Sequence, residues 1–217
     1  MSTVLYLHGF AASPDGRKIA LLRETLPPDQ FLLVAPDLNR PSFERLDFEA
    51  MAQAAVEEAK KAGPAVVIGS SLGALVALEA ARQGIAVPLL LVAPALGFGA
   101  RWTEKLPPGD PVSFFHHSVE RELPIHRRFF EQMARLDVDR EPPRVPVSVI
   151  MGVKDESVPF EGVRDVWRRW EASGRLQPGS GFIAIPEGDH GLVAFVDRIA
   201  EEIRRLASRA GSPARPS

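Results

Sequence analysis

Six short runs of Val, Ile, Leu and Phe recur along the chain, at Thr3–Leu7, Phe31–Ala35, Ala65–Ile68, Pro88–Val92, Val145–Met151 and Gly181–Ile185. They are continuously apolar rather than alternating, the pattern of strands whose two faces are both covered. Between most of them lie segments with apolar residues at i, i+3 and i+4: Asp15–Leu26, Glu44–Ala62, Leu72–Gln83, Phe160–Ser173 and Leu192–Ala210. Gly63-Pro64 and Gly84 fall where such helices would stop. Strands that alternate with helices predict an α/β fold: a doubly wound, mostly parallel six-stranded sheet, flanked by helices and joined by right-handed crossovers.

One interval breaks the alternation. Roughly fifty residues, from Pro94 to Arg144, separate the fourth run from the fifth, too many for a single crossover. The segment is rich in Phe, His and Pro, with Trp102, and is predicted as a small, mostly helical cap inserted at about residues 97–143. The chain over 1–207, insert included, has the length of one well-buried domain. The Gly-, Ser-, Pro- and Arg-rich end, 208–217, reads as a disordered tail.

Composition removes several function classes. A net charge of −2 gives no basis for a nucleic-acid or anionic-membrane partner. The absence of cysteine excludes disulfides, zinc-thiolate sites and cysteine nucleophiles. Val4-Leu-Tyr-Leu7 is too short and wrongly flanked for a signal peptide, and no run approaches the ~18 apolar residues of a membrane span. The cytoplasm is therefore the expected compartment, and a small molecule the expected partner. Oligomeric state leaves no mark in the sequence.

In an open α/β sheet, reactive groups gather beyond the carboxyl ends of the strands. After the third run the chain reads Gly69-Ser-Ser-Leu-Gly73 and enters a helix. A nucleophile on a tight strand-to-helix turn needs residues without side chains two before and two after it, because those positions crowd the turn. Ser71 has Gly69 and Gly73 there, whereas Ser70 has Ile68 and Leu72. Ser71 is thus the candidate nucleophile, set against the plainer reading of a helix-capping serine in a glycine-rich turn.

A serine hydroxyl needs a base, and the base needs an orienting group. Asp155 follows the fifth run and His190 the sixth, both in loops on the same edge as Ser71. Asp189 would have to fold back on its own neighbour, and Glu156 stands one residue further from the strand end. His116, His117 and His126 all belong to the insert. An oxyanion also needs donors. The backbone N–H of Leu72 follows the nucleophile, and that of Phe10 lies in the loop after the first run, where Gly9 permits close approach. His8 reads as a residue packing behind that loop.

Leu5-Tyr-Leu-His-Gly-Phe10, Gly69-Ser-Ser-Leu-Gly73, Lys154-Asp-Glu-Ser-Val-Pro159 and Gly188-Asp-His190 together resemble the α/β-hydrolase superfamily, whose triad order is serine, acid, histidine. The opening is similar to that of small bacterial serine esterases which begin almost at this strand. The resemblance implies Ser71 as nucleophile, Asp155 as acid, His190 as base, and Phe10 with Leu72 at the oxyanion hole, with no cofactor or metal. Many members carry two more strands before the first, so the resemblance implies a reduced sheet ordered 2-1-3-4-5-6. The expected reaction is hydrolysis of small to medium carboxylic esters through an acyl-enzyme. Thioester cleavage and acyl transfer use the same parts, and a non-catalytic ligand-binding protein on this fold is the alternative from another class.

Overall fold

The computed structural model describes residues 1–99, 101–104 and 106–210. Its main sheet holds six parallel strands: β1 (Ser2–Leu7), β2 (Phe31–Val34), β3 (Val66–Ser70), β4 (Leu89–Val92), β7 (Val147–Gly152) and β8 (Gly181–Ile185), side by side as β2-β1-β3-β4-β7-β8. Counted within this sheet alone, that is the order 2-1-3-4-5-6. The higher labels arise because two further strands, β5 (Val112–His116) and β6 (Arg121–Ile125), lie in the insert. Val4–Leu7, β3, β4 and β7 are buried throughout, which explains their unbroken apolar character.

From β1 the chain moves one way to β2, through α1 (Arg17–Thr25), then back past β1 to β3, through α2 (Phe48–Ala62). Right-handed crossovers in opposite directions put α1 and α2 on opposite faces. α3 (Leu72–Arg82) packs beside α2, and α7 (Val196–Ala210) beside α1. α6 (Phe160–Ala172) carries the chain from β7 to β8. The direction reverses between β1 and β3, so a crevice opens above their carboxyl ends.

Local chemistry sets the helix limits. The Asp47 carboxylate accepts from Ala50 N–H at 3.0 Å, so α2 starts at Phe48 rather than at Glu44, and Gly63 ends it in the left-handed region at φ 56°. α7 runs to Ala210, which corrects the expected tail at its start: Ser208, Arg209 and Ala210 are helical, and 211–217 lie outside the described residues. Ser148, wholly buried on β7, donates to the Glu202 carboxylate of α7, which also accepts from Arg205 Nε at 2.8 Å. No helix among the described residues is long and apolar enough to cross a membrane.

The insert differs from the predicted helical cap. It holds a four-residue helix, α4 (Arg101–Glu104), an antiparallel hairpin of β5 (Val112–His116) and β6 (Arg121–Ile125), and α5 (Arg127–Ala134). The physical reason is alternation. Val112 and His116 are buried and Phe114 half-buried, while Ser113 and Phe115 are exposed. Phe129, Phe130 and Met133 of α5 are buried, and Phe10 meets Phe114, Phe129 and Phe130 at ring-centroid distances of 5.3, 6.1 and 5.8 Å. His117 N–H also donates to the Ala11 carbonyl at 2.9 Å. These contacts fasten the insert to the loop after β1.

Candidate active site

β3 passes into α3 through one residue, Ser71, with φ 53° and ψ −115°. A side-chain-bearing residue in that region stores strain, and the neighbours hold it there. Ser71 N–H donates to the Val92 carbonyl at 3.0 Å. A Cβ at Gly69 would overlap the backbone of Gly73 and Ala74, and one at Gly73 would overlap the carbonyls of Leu7 and His8. The loop after β1 therefore lies against the turn. Ser71 is half-buried and lines the crevice, while Ser70 is buried, at 7% exposure.

The loops after β7 and β8 close on each other in the same way. Gly152 pairs with Ile185, a Cβ on Gly152 would overlap the Gly188 carbonyl, and Lys154 N–H donates to that carbonyl at 2.9 Å. This junction brings Asp155 Oδ2 to 2.7 Å from His190 Nδ1. Asp155 Oδ1 accepts from the backbone N–H groups of Ser157 and Val158 at 2.9 and 2.8 Å, so each oxygen has its own partners. The Asp155 carboxylate is wholly buried and the imidazole about one-third exposed (32%). With Nδ1–H donated to the carboxylate, the Nε2 lone pair is free for proton transfer. Asp189 instead accepts from Leu192 N–H at 2.7 Å, and Glu156 is exposed.

Ser71 and His190 line one cavity, with no hydrogen bond between them among the described residues. Phe10 lines it too; Leu72 is wholly buried, and its backbone N–H opens α3 directly after Ser71. Neither N–H carries a partner among the described residues. Gly9 sits over the turn, where a Cβ would stand 3.2 Å from that of Ser71. Buried His8 accepts from Leu38 N–H at Nε2 (2.9 Å), which leaves the proton on Nδ1, facing the Gly9 carbonyl at 2.9 Å. Burial lowers the affinity of its ring for a second proton, so His8 is a neutral brace across the loop.

The cavity measures about 690 Å³, within the range of small-molecule sites. Trp102, Phe98 and Phe10 give it an aromatic wall, with Trp102 4.9 Å from Phe98 between centroids. His117 lines it, whereas its neighbour His116 is buried edge-on against Phe43 at 4.8 Å. The linear reading missed a polar group of the lining: Lys18 of α1, whose Nζ donates to Ser70 Oγ at 3.1 Å, and Tyr6, which lines the cavity too. Burial pushes the Tyr6 hydroxyl up to about 12, against a hydrogen bond with Ser70. A lysine at the start of an amphipathic helix carries no local signal that it turns inward.

A model of UPF0227, an uncharacterised protein family, matches residues 3–204. A search of curated protein sequences returns no match. Among solved structures the chain is similar to Est1E from Butyrivibrio proteoclasticus, solved with ferulic acid bound, at 19% identity and a TM-score of 0.75, covering 97% of this chain and 89% of that one. The esterase domain of a Rhodothermus marinus protein is similar at 17% identity and TM-score 0.68, covering 95% and 88%. Mouse alpha/beta hydrolase domain-containing protein 10 is similar at 17% and 0.70, covering 95% and 90%. These likenesses give the fold, that of the α/β-hydrolases.

Proposed function

The chain belongs to the uncharacterised protein family UPF0227, and for it we propose a serine hydrolase that cleaves small to medium carboxylic esters through an acyl-enzyme. The observation that carries this reading is the buried Asp155 at 2.7 Å from His190 Nδ1, on the same cavity as a strained, glycine-flanked Ser71. His190 Nε2 takes the Ser71 proton as Oγ attacks the ester carbonyl, and Asp155 holds the imidazole tautomer and offsets the imidazolium charge. The backbone N–H groups of Phe10 and Leu72 receive the developing oxyanion. The proton then passes from His190 to the departing alkoxide, and a water repeats the sequence to release the acid. The name of one structural neighbour, the esterase domain of the Rhodothermus marinus protein, supports the ester class.

The test is labelling with a fluorophosphonate, read by peptide mass spectrometry, beside hydrolysis of p-nitrophenyl esters. One adduct on Ser71 is expected, with kcat/KM falling by about 10³-fold or more in Ser71→Ala. An unlabelled wild type, with a known serine hydrolase labelled alongside, would leave a ligand-binding protein as the better reading.

A further inference from the structure

The polar group that α1 adds to the cavity of Ser71 has no part in the acyl-transfer steps. Lys18 lines the cavity half-buried, and one of its three N–H donors is given to Ser70 Oγ at 3.1 Å. The lysine ion pairs among the described residues belong to Lys61 and Lys154; Lys18 makes none. The cavity it enters has apolar and aromatic walls that include Phe10, Trp102 and Val158. A cation in such a place is costly unless a counter-ion joins it. Burial lowers the lysine to about 8, with the negative charges of Asp189 and Asp155 opposing, so the ammonium still prevails at neutral pH.

We propose that Lys18 is an anion-recognition residue of this cavity and that the substrates are esters carrying a single free carboxylate. The inference rests on the serine-hydrolase reading of the same site and adds the substrate's charge. The carboxylate completes the ammonium's remaining donors, while the ester carbonyl lies at Ser71, one residue along from the Ser70 hydroxyl that anchors the lysine. A monoanion fits the local charge better than a dianion. One lysine faces the interior, Asp15 and exposed Arg17 both line the cavity, and Asp155 and Asp189 add negative field. The competing role, a lysine that only steadies Ser70 and the turn, predicts equal losses for charged and neutral esters.

The two roles separate with monomethyl adipate and dimethyl adipate, which differ in one carboxylate. In the non-hydrolysing Ser71→Ala protein, calorimetry should find the half-ester bound about tenfold or more tightly, the usual worth of a charge-assisted hydrogen bond. Adding Lys18→Met should remove that preference, and Lys18→Arg should keep a good part of it. Thermal melts of each variant guard against a folding defect, with Lys18→Gln as a second truncation. Equal affinity for the two esters, no binding of either, or a preference that survives Lys18→Met overturns the proposal. Turnover of the same pair by the wild type reports separately on the hydrolase reading. Hydrolysis of both at equal kcat/KM keeps the hydrolase and removes the anion site. Binding preference with hydrolysis of neither keeps the anion site and removes the hydrolase.

Discussion

Asp155 divides its work between its two oxygens, and a single substitution tests the division. In Asp155→Asn the amide oxygen can still accept from Ser157 and Val158, so the loop keeps its turn. The amide nitrogen then faces Nδ1, favours the wrong imidazole tautomer and, under the proposed mechanism, deprives Ser71 of its base. The expected result is a kcat lower by about 10³–10⁴-fold with KM little changed, measured on p-nitrophenyl butyrate. A melting temperature within a few degrees of wild type would separate this from unfolding. At this scale the linear reading reaches Ser71 because steric need is local: Gly69 and Gly73 must be bare where backbone takes the space of a side chain. It does not reach Lys18, because a lysine on an amphipathic helix normally points to water. Only the fold of the loop after β1 turns that end of α1 over Ser70.

At the scale of elements, α7 is held to β7 by more than apolar burial. Ser148 Oγ and Arg205 both hydrogen-bond the Glu202 carboxylate, and Glu202 is 4% exposed. Burial alone would raise this carboxyl, but the bonds from Arg205 and Ser148 outweigh it and hold it below its ordinary value. A carboxylate depressed in the folded state adds stability above its unfolded value, which is lost as pH falls through the folded value. Glu202→Gln should therefore cost about 1–3 kcal/mol at pH 7, read as a lower urea midpoint. The difference should shrink as pH is lowered through and below the carboxylate range. The insert shows why elements are read unevenly. Parallel strands buried on both faces announce themselves as apolar runs, but the hairpin's alternation is half hidden, since both Phe114 and Phe115 are aromatic and only one turns inward.

For the molecule as a whole, Lys18 implies a conflict between stability and recognition of the kind that functional sites carry. Its folded value near 8 against an ordinary 10.5 means that the unfolded chain binds the proton more tightly. Wild-type stability should thus rise with pH from about 8 to 10.5, the reverse of a lysine that has gained a partner. Lys18→Met should melt higher than wild type below pH 8, and the gap should close across that interval; a gap independent of pH would show that lost packing, not charge, sets the difference. By itself the sequence determined the parallel α/β class, the position of the strand-to-helix turn and the three loops that carry Ser71, Asp155 and His190, because each rests on residues within a few positions of one another. The tertiary structure alone decided that a hairpin docks over Phe10, that Gly152 against Gly188 brings Asp155 to His190, and that Lys18 enters the cavity. Those contacts join residues that are remote in the chain, and the close approach of backbones that makes them leaves no periodic trace in the sequence.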